Sequence, residues 1–303
     1  SDYIKQNSSE ISFNNSENWV ILNSIELSIK KKIEQYGTKL QDWNLSINRG
    51  ILTGYNDAFI IDEATKNSLI TADPKSAELI RPILRGKDIK RYSYEFAQLW
   101  VIYVPCGYTN NHKGNSDPET WFKKTHPSIY SYLINTEMEL SKHRSKKSKG
   151  LYKREDQGDY WWELRSCKYL DEFFKQKIMY NDINRRLSFC LVDKGFFCNN
   201  TVYFISTEIH QNYFLAILNS KLINWYYKTL SVQLGENAVR MFTIYVNKIP
   251  IPKINSQKEK EISILVDEFL KSFDSEIDSK LDTLIFDLYN LTKEETEYIR
   301  INF

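Results

Sequence analysis

The chain has 303 residues, 42% of them hydrophobic and 26% charged, with 20 Tyr, 16 Phe and 7 Trp. This composition excludes a disordered or low-complexity chain, and with no long apolar run neither a membrane-spanning helix nor a secretory leader is expected within these residues. Net charge is only +2, yet it is split: residues 255–303 carry 6 Lys/Arg against 12 Asp/Glu, so the acidic end offsets a basic body, the balance expected of a protein facing a polyanion.

The first residues, Ser1 to Asn18, are polar, and the start at Ser1 rather than Met suggests a piece of a larger protein. Asn23 or Ser24 can cap a helix carrying Ile25, Ile29 and Ile33, stopped by Gly37. The stretch LSINRGILTGYNDAFIID (45–62) predicts two strands around a glycine-punctuated connection. A helical turn at Leu79 and Ile80 follows, and LWVIYV (99–104) reads as a buried strand. Asp117 and Pro118 open a helix, Pro127 interrupts it, and a helical pattern resumes from Ile129 to about His143. The run KHRSKKSKGLYKR (142–154) has seven Lys/Arg, no acid and no apolar stripe, so it predicts a loop. Strands are predicted at Lys177 to Asn181, Ser188 to Asp193 and Thr201 to Ile205, and an apolar helix at Tyr213 to Tyr227. Pro250 and Pro252 mark the end of the body. Beyond them, two helical stripes and a capping box, Thr292 with Glu295, predict an acidic helical tail. The predicted organisation is therefore a polar segment (1–22), an α+β body of mixed or antiparallel sheet with packed helices (23–254) and the tail (255–303).

Enzymatic signatures are weak. None of the ten glycines forms a GxG pair or phosphate loop, and no proline-proline-aromatic tetrapeptide of the kind that grips a flipped base is present. Acid-x-Lys pairs at Asp73/Lys75, Asp88/Lys90 and Asp278/Lys280 are no more frequent than chance, and neither His112, His126, His143, His210 nor Cys106, Cys167, Cys190, Cys198 shows metal-ligand spacing. Reduced thiols in a cytoplasmic protein are expected, with no metal and no catalytic residue.

Basic residues carry the stronger signal. Lys142, Arg144, Lys146, Lys147, Lys149, Lys153 and Arg154 precede the aromatics Tyr160, Trp161 and Trp162, a pattern suited to neutralising phosphates, although a solvated loop would carry the same residues. Arg81, Arg85, Lys87, Lys90 and Arg91 form a second group, of which Lys87 and Arg91 are phosphate candidates; surface ion pairing with Glu78 and Asp88 is the competing explanation. Arg49, Tyr55 and Asn56 on one turn, and Gln233, Asn237 and Arg240 in SVQLGENAVRM, are the candidate base readers, because Arg and Asn or Gln pair bidentately with guanine and adenine edges. Turn chemistry alone would also explain Gly54 and Asn56.

The stretches RGILTGYNDAFIID, LIRPILRGKDIKRY, YWWELR, FKQKIMYNDI, NNTVYFI, AILNSKLINWYY and KIPIPKI, with the terminal FDLYNLTKEETEYI, resemble in order the C-terminal specificity domain of TaqI-like and Eco57I-like adenine-N6 DNA methyltransferases and type IIG restriction-modification enzymes. The resemblance runs from about Ser24 to the C-terminus. It implies a target recognition domain akin to those of type I specificity subunits, with double-stranded DNA as partner. It also implies that the catalytic tetrapeptide and the S-adenosylmethionine pocket lie in an upstream domain of the same parent chain, so that this part binds no cofactor and is not itself an enzyme. Two other readings remain at this stage: a protein-interaction scaffold within such a complex, and a cryptic metal-dependent nuclease.

Overall fold

The computed structural model describes residues 22–143, 149–231, 233–234 and 238–303. In chain order the strands are β1 (Gly37–Lys39), β2 (Ser46–Arg49), β3 (Ile60–Asp62), β4 (Ile80–Leu84), β5 (Leu99–Ile102), β6 (Lys177–Asn181), β7 (Ile183–Asn184), β8 (Phe189–Val192), β9 (Phe197–Cys198), β10 (Val202–Ser206), β11 (Gln233–Leu234), β12 (Ala238–Arg240) and β13 (Pro250–Pro252). An antiparallel sheet ordered β2-β10-β6-β8 forms the centre, and a second, mixed sheet is ordered β3-β5-β4-β9. The fold is α+β, as the sequence pattern predicts.

The central sheet is buried on both faces, which explains why its strands read as continuous apolar runs rather than as alternating ones. Ile178, Tyr180, Phe189, Tyr203 and Ile205 point into one core, shared with the helices Gln211–Asn219 and Lys221–Leu230. Their strand neighbours Met179, Cys190, Val192, Val202 and Phe204 point into the other, shared with the second sheet and with the helices Pro118–Thr125 and Pro127–Lys142.

Several local predictions match. Asn23 forms a complete capping box with Glu26 for the helix Ser24–Tyr36, and Thr292 does the same with Glu295 for the helix Lys293–Asn302. Others differ. The predicted strand pair of residues 45–62 separates: β2 joins the central sheet and β3 the second one, because a helical turn, Asn56–Phe59, redirects the chain between them. The helix Glu63–Ala72, capped by Asp62, has no strong apolar stripe and was not anticipated. The apolar segment 213–227 is two helices, broken where Ser220 adopts an extended backbone and caps the second by accepting from Ile223 N.

The acidic helices beyond Pro252 are part of the body rather than an outlying tail. Strand β13 pairs with β1, and Tyr289 Oη donates to Pro250 O at 2.6 Å. Ile262, Val266, Phe269, Leu281, Ile285 and Phe286, from the helices Ser256–Ser272 and Ser275–Leu288, enter the same core as Tyr213 and Tyr227.

One close approach fixes the path out of β2. A Cβ built on Gly50 would lie 2.0 Å from Asn199 O, because the backbones of residues 50–51 and 198–199 cross there, Ile51 N donating to Cys198 O at 2.8 Å. No side chain fits without separating those strands. Gly50→Ala is therefore expected to cost about 3 kcal/mol. Urea unfolding checks this, and an unchanged midpoint would show that the crossing is not as tight as described.

Candidate nucleic-acid interface

With both faces of the central sheet covered, its strand ends are where side chains remain accessible. At one end lie, in spatial order, Arg49 closing β2, residues 199–201 before β10, Asn181 and Asp182 closing β6, and residues 185–188 before β8. Arg49 is exposed, donates through Nε to Asn200 O at 2.7 Å, and has its guanidinium 5.6 Å from the Tyr203 ring centroid. The next strand entry is pinned by two helix asparagines. Asn224 Oδ1 accepts from Leu187 N at 3.0 Å, and the buried Asn219 side chain accepts from Phe189 N and donates to Phe189 O, acting as an extra strand partner. This anchoring leaves Arg185 and Arg186 exposed on a loop whose base cannot drift.

The turn at residues 86–88 folds over the same end. Gly86 N donates to Thr201 Oγ1 at 3.0 Å and Asn181 Nδ2 donates to Gly86 O at 3.2 Å. Arg85 and Asp88 pair with each other, which leaves Lys87 exposed at the tip. Arg91 is different from what its sequence context suggests. Its guanidinium makes two hydrogen bonds to Asp278, at 2.8 and 2.7 Å, and Nε donates to Asn219 O. Burial would lower its pKa, but the Asp278 carboxylate more than offsets that and the net shift is upward. Arg91 therefore joins the acidic helix to the body and is already neutralised, which removes it from the phosphate candidates.

A small ribbon, ordered β11-β12-β7, rises from the end of β6. Val239 and Met241 face inward and are buried, opposite Asn184, while Arg240 faces outward with Asp182 at 3.9 Å. Tyr227 Oη donates to Arg240 O at 2.7 Å and Met241 N donates to Asp182 O at 2.9 Å, so the ribbon base is fixed. Gln233 enters through its backbone, paired with Val239. Asn237 lies outside the described residues, as do Arg144, Lys146 and Lys147 of the basic run.

The rest of that run divides. Lys142 pairs with Glu139 at 2.7 Å, Lys149 pairs with Glu155, and Lys153 is exposed. Arg154 is buried: it donates to the carbonyls of Thr53, Leu151, Trp161 and Glu163, and its guanidinium lies 4.5 Å from the Phe59 ring centroid. Burial pushes its pKa down to about 10. As a structural hub it cannot contact a phosphate, which corrects the expectation drawn from its place in the run. Through Thr53 it anchors the turn that carries Tyr55 and Asn56. That turn is shaped by Thr53, whose Oγ1 donates to Asn56 Oδ1 at 2.6 Å and accepts from Tyr55 N at 3.2 Å.

The three acid-x-Lys acids are engaged in the fold. Asp73 caps a helical turn through Lys75 N and Ser76, Asp88 binds Arg85, and Asp278 binds Arg91. Among the described residues, Cys106, Asp159 and Glu163 lie close enough together to suggest a metal, but the Glu163 carboxylate already accepts from Gly107 N, Thr109 N and Asp159 N. The described cysteines are free thiols, and none of the described helices is long and apolar enough to cross a membrane.

Sequence reasoning missed Arg185, Arg186, Asn199, Asn200 and Thr201. Their signal was present as polar residues, NDINRR (181–186) and CNNT (198–201), directly flanking predicted strands. Arg154→Lys keeps a charge but cannot span four carbonyls with one ammonium, so it is expected to lose about 3 kcal/mol of stability in urea, whereas Lys153→Gln should change it by less than about 0.5 kcal/mol. Equal midpoints for the two variants would contradict the division of the run into hub and surface.

No curated protein sequence matches the chain. A solved structure of the type IIL restriction-modification enzyme MmeI in complex with DNA is similar, with a TM-score of 0.60 and 16% identity over 86% of this chain and 35% of that one. The type IIG restriction endonuclease BpuSI gives a TM-score of 0.49 and 14% identity over 88% of this chain and 33% of that one. The chain thus spans about a third of the length of either enzyme, and at 16% identity the likeness to MmeI is one of fold. The sequence model of the TaqI-like C-terminal specificity domain matches residues 81–251, more than half of the chain and the part that holds the 86–88 turn, the arginine loop and the ribbon. The chain belongs to the family of TaqI-like C-terminal specificity domains.

Proposed function

We propose that this chain selects a double-stranded DNA target, as the specificity part of a restriction-modification DNA methyltransferase whose catalytic domain lies elsewhere in the parent chain. The observation that carries the reading is the convergence of Arg49, Lys87, Arg185, Arg186 and Arg240 with the amides of residues 181 and 199–200 at one end of the central sheet. Cations that neutralise phosphates release counterions and hold the duplex without reading it. Lys87, Lys142, Lys149, Lys153 and Arg186 suit that role, as residues 144–147 would by composition. Arg49 and Arg240, each held by a fixed neighbour, suit base edges, and Tyr55, Asn56, Gln233 and Asn237 are the further candidates by residue type.

In this reading the methyl donor, S-adenosylmethionine, and the adenine-flipping residues belong to the catalytic domain. The present residues fix the address, and they do so from a rigid base: the 86–88 turn, the arginine loop and the ribbon are each hydrogen-bonded to the sheet or to the helices behind it.

Fluorescence anisotropy on labelled random duplexes at two salt concentrations tests the reading. Binding should weaken steeply with salt, and Arg186→Gln should weaken all duplexes alike and reduce the salt slope by about 0.9. Arg240→Gln should instead relax preference at one position, costing about 1–3 kcal/mol on the preferred site. Binding that is absent at low salt, or present and indifferent to salt, would overturn the proposal.

A further inference from the structure

The outward face of the ribbon is not uniformly polar. Ile183 lies directly across from Arg240 in the β7–β12 pair, so the two side chains share a face. Burial alternates along the other strand, with Val239 and Met241 inside, so Arg240 and Phe242 project together on the outer side. The Arg240 guanidinium sits 5.4 Å from the Phe242 ring centroid. Ile244, two residues beyond Phe242 in the helix Thr243–Val246, is also exposed. Ile183, Phe242 and Ile244 are 42%, 38% and 63% exposed, in a protein that buries most of its large apolar side chains.

Three apolar side chains kept in water around a single arginine call for a partner with matching chemistry. The surroundings of the patch are cationic: Arg185 and Arg186 lie two and three residues beyond Ile183, both exposed. A cationic rim favours a polyanion over a protein surface of neutral or basic character. The major groove of DNA is wide enough for two paired strands such as β7 and β12 of this three-stranded ribbon, and the apolar group it displays to them is the C5 methyl of thymine.

Resting on the DNA-binding reading above, we infer that the ribbon is a composite reader of guanine with a neighbouring thymine: Arg240 takes the guanine edge while Ile183 and Phe242 enclose the thymine methyl. The stacking of Arg240 on Phe242 and its contact with Asp182 hold the guanidinium before DNA arrives, so little side-chain freedom is lost on docking. Asp182 also fixes which way the guanidinium points. Because the inner residues Val239, Met241 and Asn184 hold the ribbon in place, the outer apolar side chains are free to serve recognition rather than folding.

The test uses the full chain and changes the DNA before the protein. A preferred duplex is selected from a random pool, then each thymine is replaced in turn by deoxyuridine, which removes only the methyl group. At one thymine beside a guanine, affinity should fall about fourfold, the value of one buried methyl. An Ile183→Ala/Phe242→Ala variant, verified to unfold at the wild-type urea concentration, should bind the thymine and uracil duplexes equally while keeping its salt dependence. If this variant unfolds early, Ile183→Ala alone should reduce the discrimination to about twofold or less. Sequence-selective binding that ignores uracil at every position, a selected site with no thymine next to guanine, or discrimination that survives in the variant would overturn this inference and leave the DNA-binding reading standing. Failure to bind any duplex would instead overturn both.

Discussion

The central sheet is covered on both faces, and most of the functional architecture follows from that. Tyr180 and Tyr203 press into one core while Met179 and Phe204, their neighbours along the strands, press into the other. A sheet so enclosed cannot present a face to a ligand; it can only present the loops at its strand ends. Those loops then inherit the stiffness of the strands beneath them, provided something ties each loop back. Here the ties are particular: Thr201 to Gly86, Asn224 to Leu187, and Tyr227 to the Arg240 carbonyl. Interfaces that read shape and hydrogen-bond pattern need side chains positioned to a fraction of an ångström, and rigid anchoring of this kind supplies it.

The near-neutral net charge takes on a different meaning once the packing is known. The acidic helices lie against the body and share its core, and a few of their acids are set against specific cations of the body while most of the others face solvent. Asp278 neutralises Arg91, and Glu295 binds Lys32 at 2.7 Å. The cations left exposed at the sheet end are those without so close an acidic partner, which concentrates positive potential there without requiring a strongly basic protein.

The helix caps and the strands of the central sheet were legible in the sequence because they depend on local chemistry: Asn23 with Glu26, Asp117 before Pro118, and apolar runs bounded by polar pairs, whereas β4 at Ile80–Leu84 was not. Nor were the strand partners. Residues 45–62 look like a hairpin, and only the tertiary placement of Asn56–Phe59 sends β2 and β3 to different sheets. The same limit governs the candidate site. Composition identified Arg49, Lys87 and Arg240 as cations in turn-rich contexts, and the fold brings all three to one sheet end. Composition could not separate Arg154 from Lys153, although one is enclosed by four carbonyls and the other is in solvent, because burial is a property of what folds back over a residue. Arg185 and Arg186 gave a weaker compositional signal than the run of seven, because only the fold places them, exposed, at the entry to β8.

Hydrogen–deuterium exchange of the full chain with and without a preferred DNA duplex measures the location of the interface most directly. If the sheet end is the reading surface, protection should appear together at residues 85–88, 181–188, 199–201 and 238–242, and exchange at the opposite end, residues 44–46 and 206–209, should be unchanged. Protection confined to that opposite end or to the acidic helices 256–302, with the four loops unaffected, would contradict the account.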